Sequence, residues 1–475
     1  MAPRPHFLVL TFPLQGHITP ALRLARRLLA AAPDALVTFS TTAAALGRMF
    51  PAKPATMEGP AHGAVERGDH EGGHGRLECL PFSDGTEGSD GAGELGAYMA
   101  SFHAAGARSV GELVDALAAR GRPVSRVVYT LMLPWAAGVA RERGIPSALY
   151  WIQPAAVFAI YHHYFHGHAG VFAEHRRDPS SVVQLPGLPP LAAGDLPTFL
   201  TESSDPSDSY HSVFATFRDL FDALDRESPK ATVLVNTCQE LEVAALAAVG
   251  AHDLLPVGPV LPSGEEAGLF KQDDAEYMEW LDGKPAGSVV YVAFGSLATM
   301  AREQLGELFR GLEDSGRPYL CVVRKDNKAL LAEAEAETDE ERLKNGIVVE
   351  WCDQVQVLSH MAIGCFVTHC GWNSVVESMA SGVPMVAVPR MSEQRMNAEL
   401  IEREWFVGVR AEVDSGGVLR ATEVCRRIEE VMGESKTAAK VQDSAREWKR
   451  VIIEAVRKGG SSDCNLIEFV ERGGI

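Results

Sequence analysis

No stretch of this 475-residue chain reaches the roughly 18 uninterrupted apolar residues of a membrane-crossing helix. The first apolar run, HFLVLTF at 6–12, is cut by Pro13 and is too short for the core of a secretion signal. The last segment, NLIEFVERGGI, is amphipathic and not an anchor. Positive charge is also scarce: 44 Lys and Arg stand against 63 Asp and Glu, a formal balance of -19. General nucleic-acid binding needs a basic face to displace counterions, so neither nucleic acid nor membrane is an expected partner. A local pocket can still hold an anion. Cysteine is sparse and scattered: Cys79, Cys238, Cys321, Cys352, Cys365, Cys370, Cys425 and Cys464. In a chain of this length they read as reduced thiols of a cytoplasmic protein, not a disulfide framework. Absent too is G-x-G-x-x-G after a first strand with an acid about 20 residues on, the fingerprint of a nicotinamide oxidoreductase. Neither TFPLQGHITP nor AFGSLATM supplies it.

What is present is an ordinary globular composition, 46% hydrophobic and 23% charged, and length enough for two or three domains. The run 6–12 reads as a buried strand. PLQGHITP follows as a turn, with Thr19 and Pro20 suited to the cap and first position of a helix. Ala21, Leu22, Leu24, Ala25, Leu28 and Leu29 give that helix its apolar face. ALVTFST (35–41) is the next strand, so the chain opens β-α-β and predicts a parallel sheet whose working edge lies at the strand C-termini. Residues 57–76, rich in Gly, His and acid, read as a mobile loop. RVVYTLM and SALYWI, separated by the helical PWAAGVARERG, and ATVLVNT (231–237) complete a first domain over 1–253. The Pro- and Gly-rich 254–268 is the expected linker. A second β/α series runs through SVVYVAFGS, a helix over 302–314, YLCVVR, GIVVEW, GCFVTH, a helix over 373–381 and PMVAVP. It defines a second domain over 269–455, and 456–475 is expected to pack back on the first. The fold class is α/β, two doubly wound domains facing across a cleft at their strand C-terminal edges.

HCGWNSVVES, residues 369–378, packs six chemically active residue types into ten positions at a strand end, tight turn and helix start. Gly371 permits the turn. His369, Asn373 and Ser374 gather where helix N-terminal N–H groups point outward, a geometry that favours a phosphate. A metal reading fails for want of C-x-x-C or H-x-x-x-H partners to His369 and Cys370, and a nucleophilic Cys370 lacks a base. A bare polar helix cap is the bland alternative.

The wider window from Trp351 to Gln394, WCDQVQVLSHMAIGCFVTHCGWNSVVESMASGVPMVAVPRMSEQ, resembles the signature box of plant secondary-product UDP-glycosyltransferases (family 1). FPLQGHITP, VLVNTCQELE and YVAFGSLATM extend the resemblance along the chain. VVYTLMLPWAAGVA and WIQPAAVFAIYHHYF most resemble the subgroup of anthocyanin 5-O-glucosyltransferases and of auxin, abscisate and crocetin glucosyl-ester enzymes. The resemblance implies the GT-B arrangement of two Rossmann-like domains, UDP-glucose as co-substrate, no metal, no other cofactor, and a monomer. It places Trp351 on the uracil, with Cys352, Gln354 and Glu377 about the nucleoside. Ser296, His369, Gly371, Asn373 and Ser374 would hold the diphosphate, and Trp372, Glu393 and Gln394 the sugar hydroxyls. The side-chain chemistry agrees: an aromatic plate for a base, a carboxylate for a diol, donors for phosphates. The box departs from its usual ending, Pro-Gln-aromatic-Ser/Thr-Asp-Gln, at Arg390, Met391 and Glu393. Within the resemblance, Gln394 goes with glucose.

His17 stands after the first strand, where the family has its catalytic base; a neutral imidazole can take a proton from an acceptor hydroxyl at cytoplasmic pH. The acceptor oxygen would then displace UDP with inversion. The family's partner Asp is here Thr130, which carries no charge, so His17 is a weaker base than usual. A carboxylic acid arrives ionised and needs no base. A small lipophilic plant carboxylate, yielding a glucose ester, is therefore the expected acceptor, with a phenolic or flavonoid hydroxyl as the alternative. A non-catalytic nucleotide-sugar binder is the remaining rival class. YHHYFHGH (161–168) has no recognised zinc spacing and reads as an acceptor-pocket wall or helix surface. PFSDGTEGSDG (81–91) reads as a flexible loop.

Overall fold

Alternation of short apolar runs with amphipathic helices produces two parallel sheets, each with helices on its faces. The computed structural model describes residues 4–50, 65–67, 75–86, 94–175, 178–262, 276–295, 300–324 and 344–472. The chain divides into two compact units, one formed by 1–262 together with 455–475 and the other by 263–454.

The first unit is built on β1 (His6–Leu10), β2 (Leu36–Thr42), β3 (Val65–Arg67), β4 (Arg76–Phe82), β5 (Arg126–Thr130), β6 (Ser147–Trp151), β9 (Thr232–Val235) and β10 (Asp253–Pro256). A short ribbon of β7 (Val182–Val183) and β8 (Leu191–Ala192) lies outside that sheet. The order is β10-β9-β6-β5-β1-β2-β4-β3, parallel except for β3. β1 is central: Val9 pairs with Phe39 on one side and Val128 on the other. Strand order reverses between β1 and β5, and the following loops diverge there, which makes this the natural crevice of the sheet. Trp151 anchors the core of the opposite half, edge-on to Phe158 at 5.1 Å and within 6.3 Å of Phe221.

Two features tie distant sequence into this unit. Glu242, the last residue of VLVNTCQELE, is buried and accepts the N–H groups of Ala155 (2.9 Å) and Ala156 (3.0 Å). It thereby caps the helix Ala155–His163, which has no cap of its own. The C-terminal helix Ser461–Arg472 lies on the same unit: Ser462 Oγ donates to the Gly258 carbonyl (2.5 Å), Asn465 to Pro256 (2.8 Å), and Arg126 to Phe469 (2.7 Å).

The second unit holds β11 (Val289–Ala293), β12 (Tyr319–Val322), β13 (Gly346–Val349), β14 (Ile363–Thr368), β15 (Met385–Ala387) and β16 (Gly408–Arg410), in the order β13-β12-β11-β14-β15-β16, all parallel. Its core includes Val290, Val292, Leu308, Leu312, Val367, Val386 and Ile428. Here the reversal falls between β11 and β14.

Several elements differ from the sequence reading. The first helix begins at Gln15, not at Pro20, so His17 sits in its first turn with its N–H on the Leu14 carbonyl (2.9 Å). Pro20 is interior and forgoes one backbone bond so early in the helix that the element survives. The expected loop 57–76 contains β3 and runs into β4; its other positions up to 74 lie outside the described residues. β4 and β16 escaped notice, since RLECLPF mixes charge and proline into a strand and GVR is only three residues long.

Strand β14 approaches the Gly287 turn so closely that a Cβ on Gly364 would stand 2.1 Å from the Gly287 carbonyl oxygen. Gly364→Ala should therefore destabilise the second unit by about 1–3 kcal/mol, the usual cost of overpacking. Chemical denaturation followed by tryptophan fluorescence would register this as a lower midpoint for that unit; an unchanged midpoint would mean the turn yields freely.

Candidate functional site

The reversal point of the second unit gathers most of the residues singled out in the signature box. β14 ends at Thr368, and the chain then turns through His369, Cys370 and Gly371 into the helix Trp372–Ser381. The turn puts Cys370 at φ 67°, the left-handed region, held by its N–H on Thr368 Oγ1 (3.2 Å) and by Asn397 on its carbonyl (2.8 Å). The Cys370 sulfur points inward, 3.6 Å from the Thr368 carbonyl, and burial pushes its pKa up. It is packing, not a nucleophile or a ligand.

The His369 ring lies between two glycines. A Cβ on Gly295 would stand 2.6 Å from its Nε2, and one on Gly371 2.5 Å away. Gly371 thus serves close approach and not the turn it was expected to permit: its φ of -62° suits any residue, and the left-handed position falls on Cys370. Burial lowers the His369 pKa to about 4, so the imidazole is neutral near pH 7. The helix it precedes carries no side-chain cap and no acid in its first turn. Asn373 is half-buried in that turn, and Ser296 lies outside the described residues.

Deeper in the same helix, Gln354 Nε2 donates to Glu377 (2.8 Å) and to Ser374 Oγ (3.0 Å). The Tyr291 hydroxyl donates to Gln354 Oε1 (3.4 Å) and lies 3.3 Å from the Cys352 sulfur. Gln354 opens a short helix, Gln354–Ser359, whose N-terminal N–H groups of Val355 and Gln356 are both capped by Asp353 at 3.0 Å. Trp351, half-buried, stands three residues ahead of Gln354. The structure therefore brings Cys352, Gln354, Ser374 and Glu377 into one network. It adds Tyr291, which the sequence reading missed; its phenol stood in the strand run VVYVAF as the lone polar end among apolar residues.

The sugar-side residues are arranged differently from expectation. The Trp372 ring is buried against Trp405, with centroids 5.9 Å apart, so its side chain is core. What Trp372 offers is its backbone N–H, which meets the Glu393 carboxylate. Glu393 is buried, and burial raises its pKa; Ser392, at φ 61°, donates its hydroxyl to it at 2.5 Å. Gln394 Oε1 accepts the N–H groups of Arg390 (3.0 Å) and Met391 (3.2 Å), which closes the departing loop.

In the first unit, His17 and Thr130 lie at the reversal between β1 and β5, but they do not pair. The Thr130 hydroxyl donates to Thr11 Oγ1 (3.1 Å) and accepts the Phe12 N–H (3.4 Å). His17 Nδ1 is enclosed and has no hydrogen-bond partner, and burial lowers the pKa to about 4. Phe12 flanks His17 with centroids 5.4 Å apart and packs on Phe102 at 5.0 Å. Phe102 in turn meets Trp135 at 6.1 Å, and Tyr98 lies 6.5 Å from Phe12. Burial, with the Asp84 carboxylate nearby, pushes the Tyr98 phenol up to about 12. Tyr98 and Phe102 come from the helix Leu95–Ala119, for which the sequence carried no family-like signal. Within 81–91, Asp84 is buried and binds Thr86; 87–91 lie outside the described residues. Among the described residues, no group of three or more His, Cys, Asp or Glu could hold a metal ion, and no helix is long and apolar enough to cross a membrane.

Residues 259–437 match the family model for UDP-glucoronosyl and UDP-glucosyl transferase. Crocetin glucosyltransferase, chloroplastic, of Gardenia jasminoides is 41% identical, covering 100% of this chain and 98% of that protein. Phloretin 4'-O-glucosyltransferase of Malus domestica is 38% identical over 98% of this chain and 97% of its own. Among solved structures, Os79 from O. sativa in complex with UDP superposes with a TM-score of 0.80 at 30% identity, covering 99% of this chain and 100% of that one. The α/β architecture is thus that of the GT-B class, two Rossmann-like units. Full-length identity at this level, with the two reversal-point sites described, means that the chain belongs to the UDP-glycosyltransferase family and is an enzyme that transfers a sugar from a UDP-sugar donor.

Proposed function

We propose that this enzyme moves glucose from UDP-glucose to a small lipophilic plant molecule with inversion at the anomeric carbon. The preferred acceptor is a carboxylate and the product a glucose ester. The observation that carries the reading is the isolation of His17: its Nδ1 has no partner, and Thr130 is engaged with Thr11 and Phe12 instead. A base with a pKa near 4 is neutral at pH 7 but draws weakly on a hydroxyl proton. A carboxylate oxygen needs no such help. It attacks the anomeric carbon as the bond to the UDP oxygen breaks, and UDP leaves with the electron pair. For a hydroxyl acceptor the same displacement sends the proton to His17. That second reading has support of its own, since the relatives include enzymes named for the 4'-O position of phloretin and the 5-O position of an anthocyanidin glucoside.

On the donor side, the network Tyr291–Gln354–Glu377–Ser374 supports a nucleoside seat, with Trp351 as the plate for uracil. The uncapped helix at Gly371, with neutral His369, Asn373 and Ser374, suits the diphosphate. The sugar would meet Glu393 and Gln394 and the Trp372 N–H. Glu393, one methylene longer than Asp, already reaches that N–H itself, so a sugar hydroxyl would share or replace the contact. The phosphates are held by protein donors, so the reaction runs without a metal. A monomer working in the cytoplasm completes the proposal, although the Gardenia relative is named chloroplastic.

UDP binding measured by calorimetry should persist unchanged in EDTA, and Trp351→Ala should weaken it by roughly 1–3 kcal/mol, the worth of a base on an aromatic plate. Loss of all binding in EDTA would defeat the metal-free donor site.

The acceptor proposal is tested by kinetics on a panel of plant acids and phenols. His17→Ala should lower kcat for a phenol by about 10²–10⁴-fold, the range of a lost general base, and lower it far less for an acid. With the folded pKa depressed to about 4, wild-type activity towards phenols should hold down to pH 5 and fall only as pH approaches 4, not at 6.5. Thr130→Asp should assist phenols and hinder acids, since it places a negative charge beside β1. Faster use of phenols than of any acid by the wild type, with acid transfer undisturbed in Thr130→Asp, would overturn the carboxylate preference.

A further inference from the structure

The histidine-rich stretch 161–168 takes no part in the transfer proposed above. The helix Ala155–His163 starts at the C-terminal edge of β6 and runs back along the sheet, so its end lies at the edge opposite His17 and Thr130. There it meets His252, the residue before β10. His162 stacks on His166 (centroids 4.0 Å, interplanar 24°) and meets His252 edge-on (5.4 Å, 87°). Asp225, at the end of the helix His211–Asp225, is the carboxylate of the group. It lies 3.0 Å from His166 Nε2 and 3.8 Å from His252 Nε2. His166 Nδ1 lies 2.6 Å from the His162 carbonyl. Both His166 nitrogens thus face oxygens, the His162 carbonyl and the Asp225 carboxylate.

A proton on His252 would meet only Asp225, at 3.8 Å, and one on His162 Nδ1 would meet no acceptor. His162 Nδ1 and both His252 nitrogens are buried without a hydrogen-bond partner. The other charges nearby are Lys230, which opposes protonation of His252, and His163 and His168, whose rings lie 5.4 Å apart. His163 is itself tied to the Pro186 carbonyl at 2.9 Å. The neighbouring walls are aromatic: Phe158 lies 5.9 Å from His252, and Phe221 6.3 Å from His162. The backbone held by these contacts is already irregular. In the turn Tyr164–His168, His166 (φ -108°, ψ 49°) and Gly167 (φ 97°) break the helix before Ala169–His175 resumes it.

We propose that His162, His166, His252 and Asp225 form an acid-sensitive latch, which fastens the turn 164–168 to the helix 211–225 near neutral pH and releases it when the buried His162 or His252 takes a proton. The sign follows from burial. His162 is lowered from 6.5 to about 4, chiefly by desolvation and then by its histidine neighbours. The folded cluster therefore resists protonation: its contribution is whole above pH 6.5 and is lost as pH falls from 6.5 towards 4. At pH 5.5, opening that returns His162 alone to ordinary titration is favoured about tenfold, and release of His252, also lowered by burial, multiplies that figure. Acidification would loosen the acceptor-side unit from the edge remote from catalysis, leaving the second unit unaffected.

Hydrogen exchange of the full chain, followed by mass spectrometry at pH 7.5 and 5.5 and corrected for intrinsic rates, tests this directly. Peptides over 161–175 should open at least tenfold more readily at pH 5.5, while peptides over 363–381 should keep their protection. Asp225→Asn should move the onset to higher pH, and His252→Phe, matched to its aromatic surroundings, should shrink the pH effect. Equal protection of 161–175 at both pH values in the wild type would overturn the latch without recourse to any variant. So would an undiminished pH effect in a folded His162→Phe, His252→Phe double variant.

Discussion

The donor unit turns on one steric arrangement: an imidazole fitted between two glycines. β11 and β14 are neighbours whose following loops leave in opposite directions, and the ring of His369 fills the gap they open. Any Cβ at 295 or 371 would strike its Nε2 at 2.6 or 2.5 Å. From that fit follow the left-handed Cys370, the inward sulfur, the uncapped start of the helix Trp372–Ser381, and the alignment of Ser374 and Glu377 on Gln354 one turn further along. The turn spends its polar groups on itself through Thr368 and Asn397, which leaves the helix N-terminus to face outward.

Desolvation sets the charge state at both reversal points. His17 and His369 are each lowered to about 4 by burial, and neither has a carboxylate to oppose it. Neutral imidazoles cost little to enclose, and they hydrogen-bond without adding positive charge. The two imidazoles therefore act on their surroundings through dipoles and hydrogen bonds and not through charge. The same physics at His162 and His252, where burial opposes protonation, produces a cluster that holds together while both imidazoles stay neutral.

Much of this was legible in the residues. The β-α-β opening, the second series of strands and the turn at HCGWNSVVES follow from apolar runs, glycine and helix caps, and each has its counterpart in the sheets. Gln354 and Glu377, which the signature box grouped about the nucleoside, hydrogen-bond each other, and Ser374, grouped with the diphosphate residues, joins them. What escaped was whatever depends on side-chain direction or tertiary packing. Trp372 looked like a sugar contact because of its place in the motif, but its ring is on the inward face of the helix against Trp405. Thr130 looked like a partner for His17, but a hydroxyl so near the Thr11 hydroxyl and the Phe12 N–H finds those first. Pro20 looked like a helix start because proline suits a first position; backbone bonds to Leu14 begin the helix a turn sooner. Tyr98 and Phe102 gave no signal because nothing in a long amphipathic helix marks which aromatic will reach a distant strand end.

The C-terminal helix has a consequence for the order in which the chain is made. Ser462, Asn465 and Phe469 bind Gly258, Pro256 and Arg126, so the first unit draws on residues synthesised after the whole of the second. On the ribosome the donor unit has all its strands and helices as soon as Glu454 emerges, while the earlier-made unit still lacks its last wall. His17 belongs to the half that finishes last. A growing chain can thus complete its second unit before its first, and the helix Ser461–Arg472 closes the unit that was begun earlier.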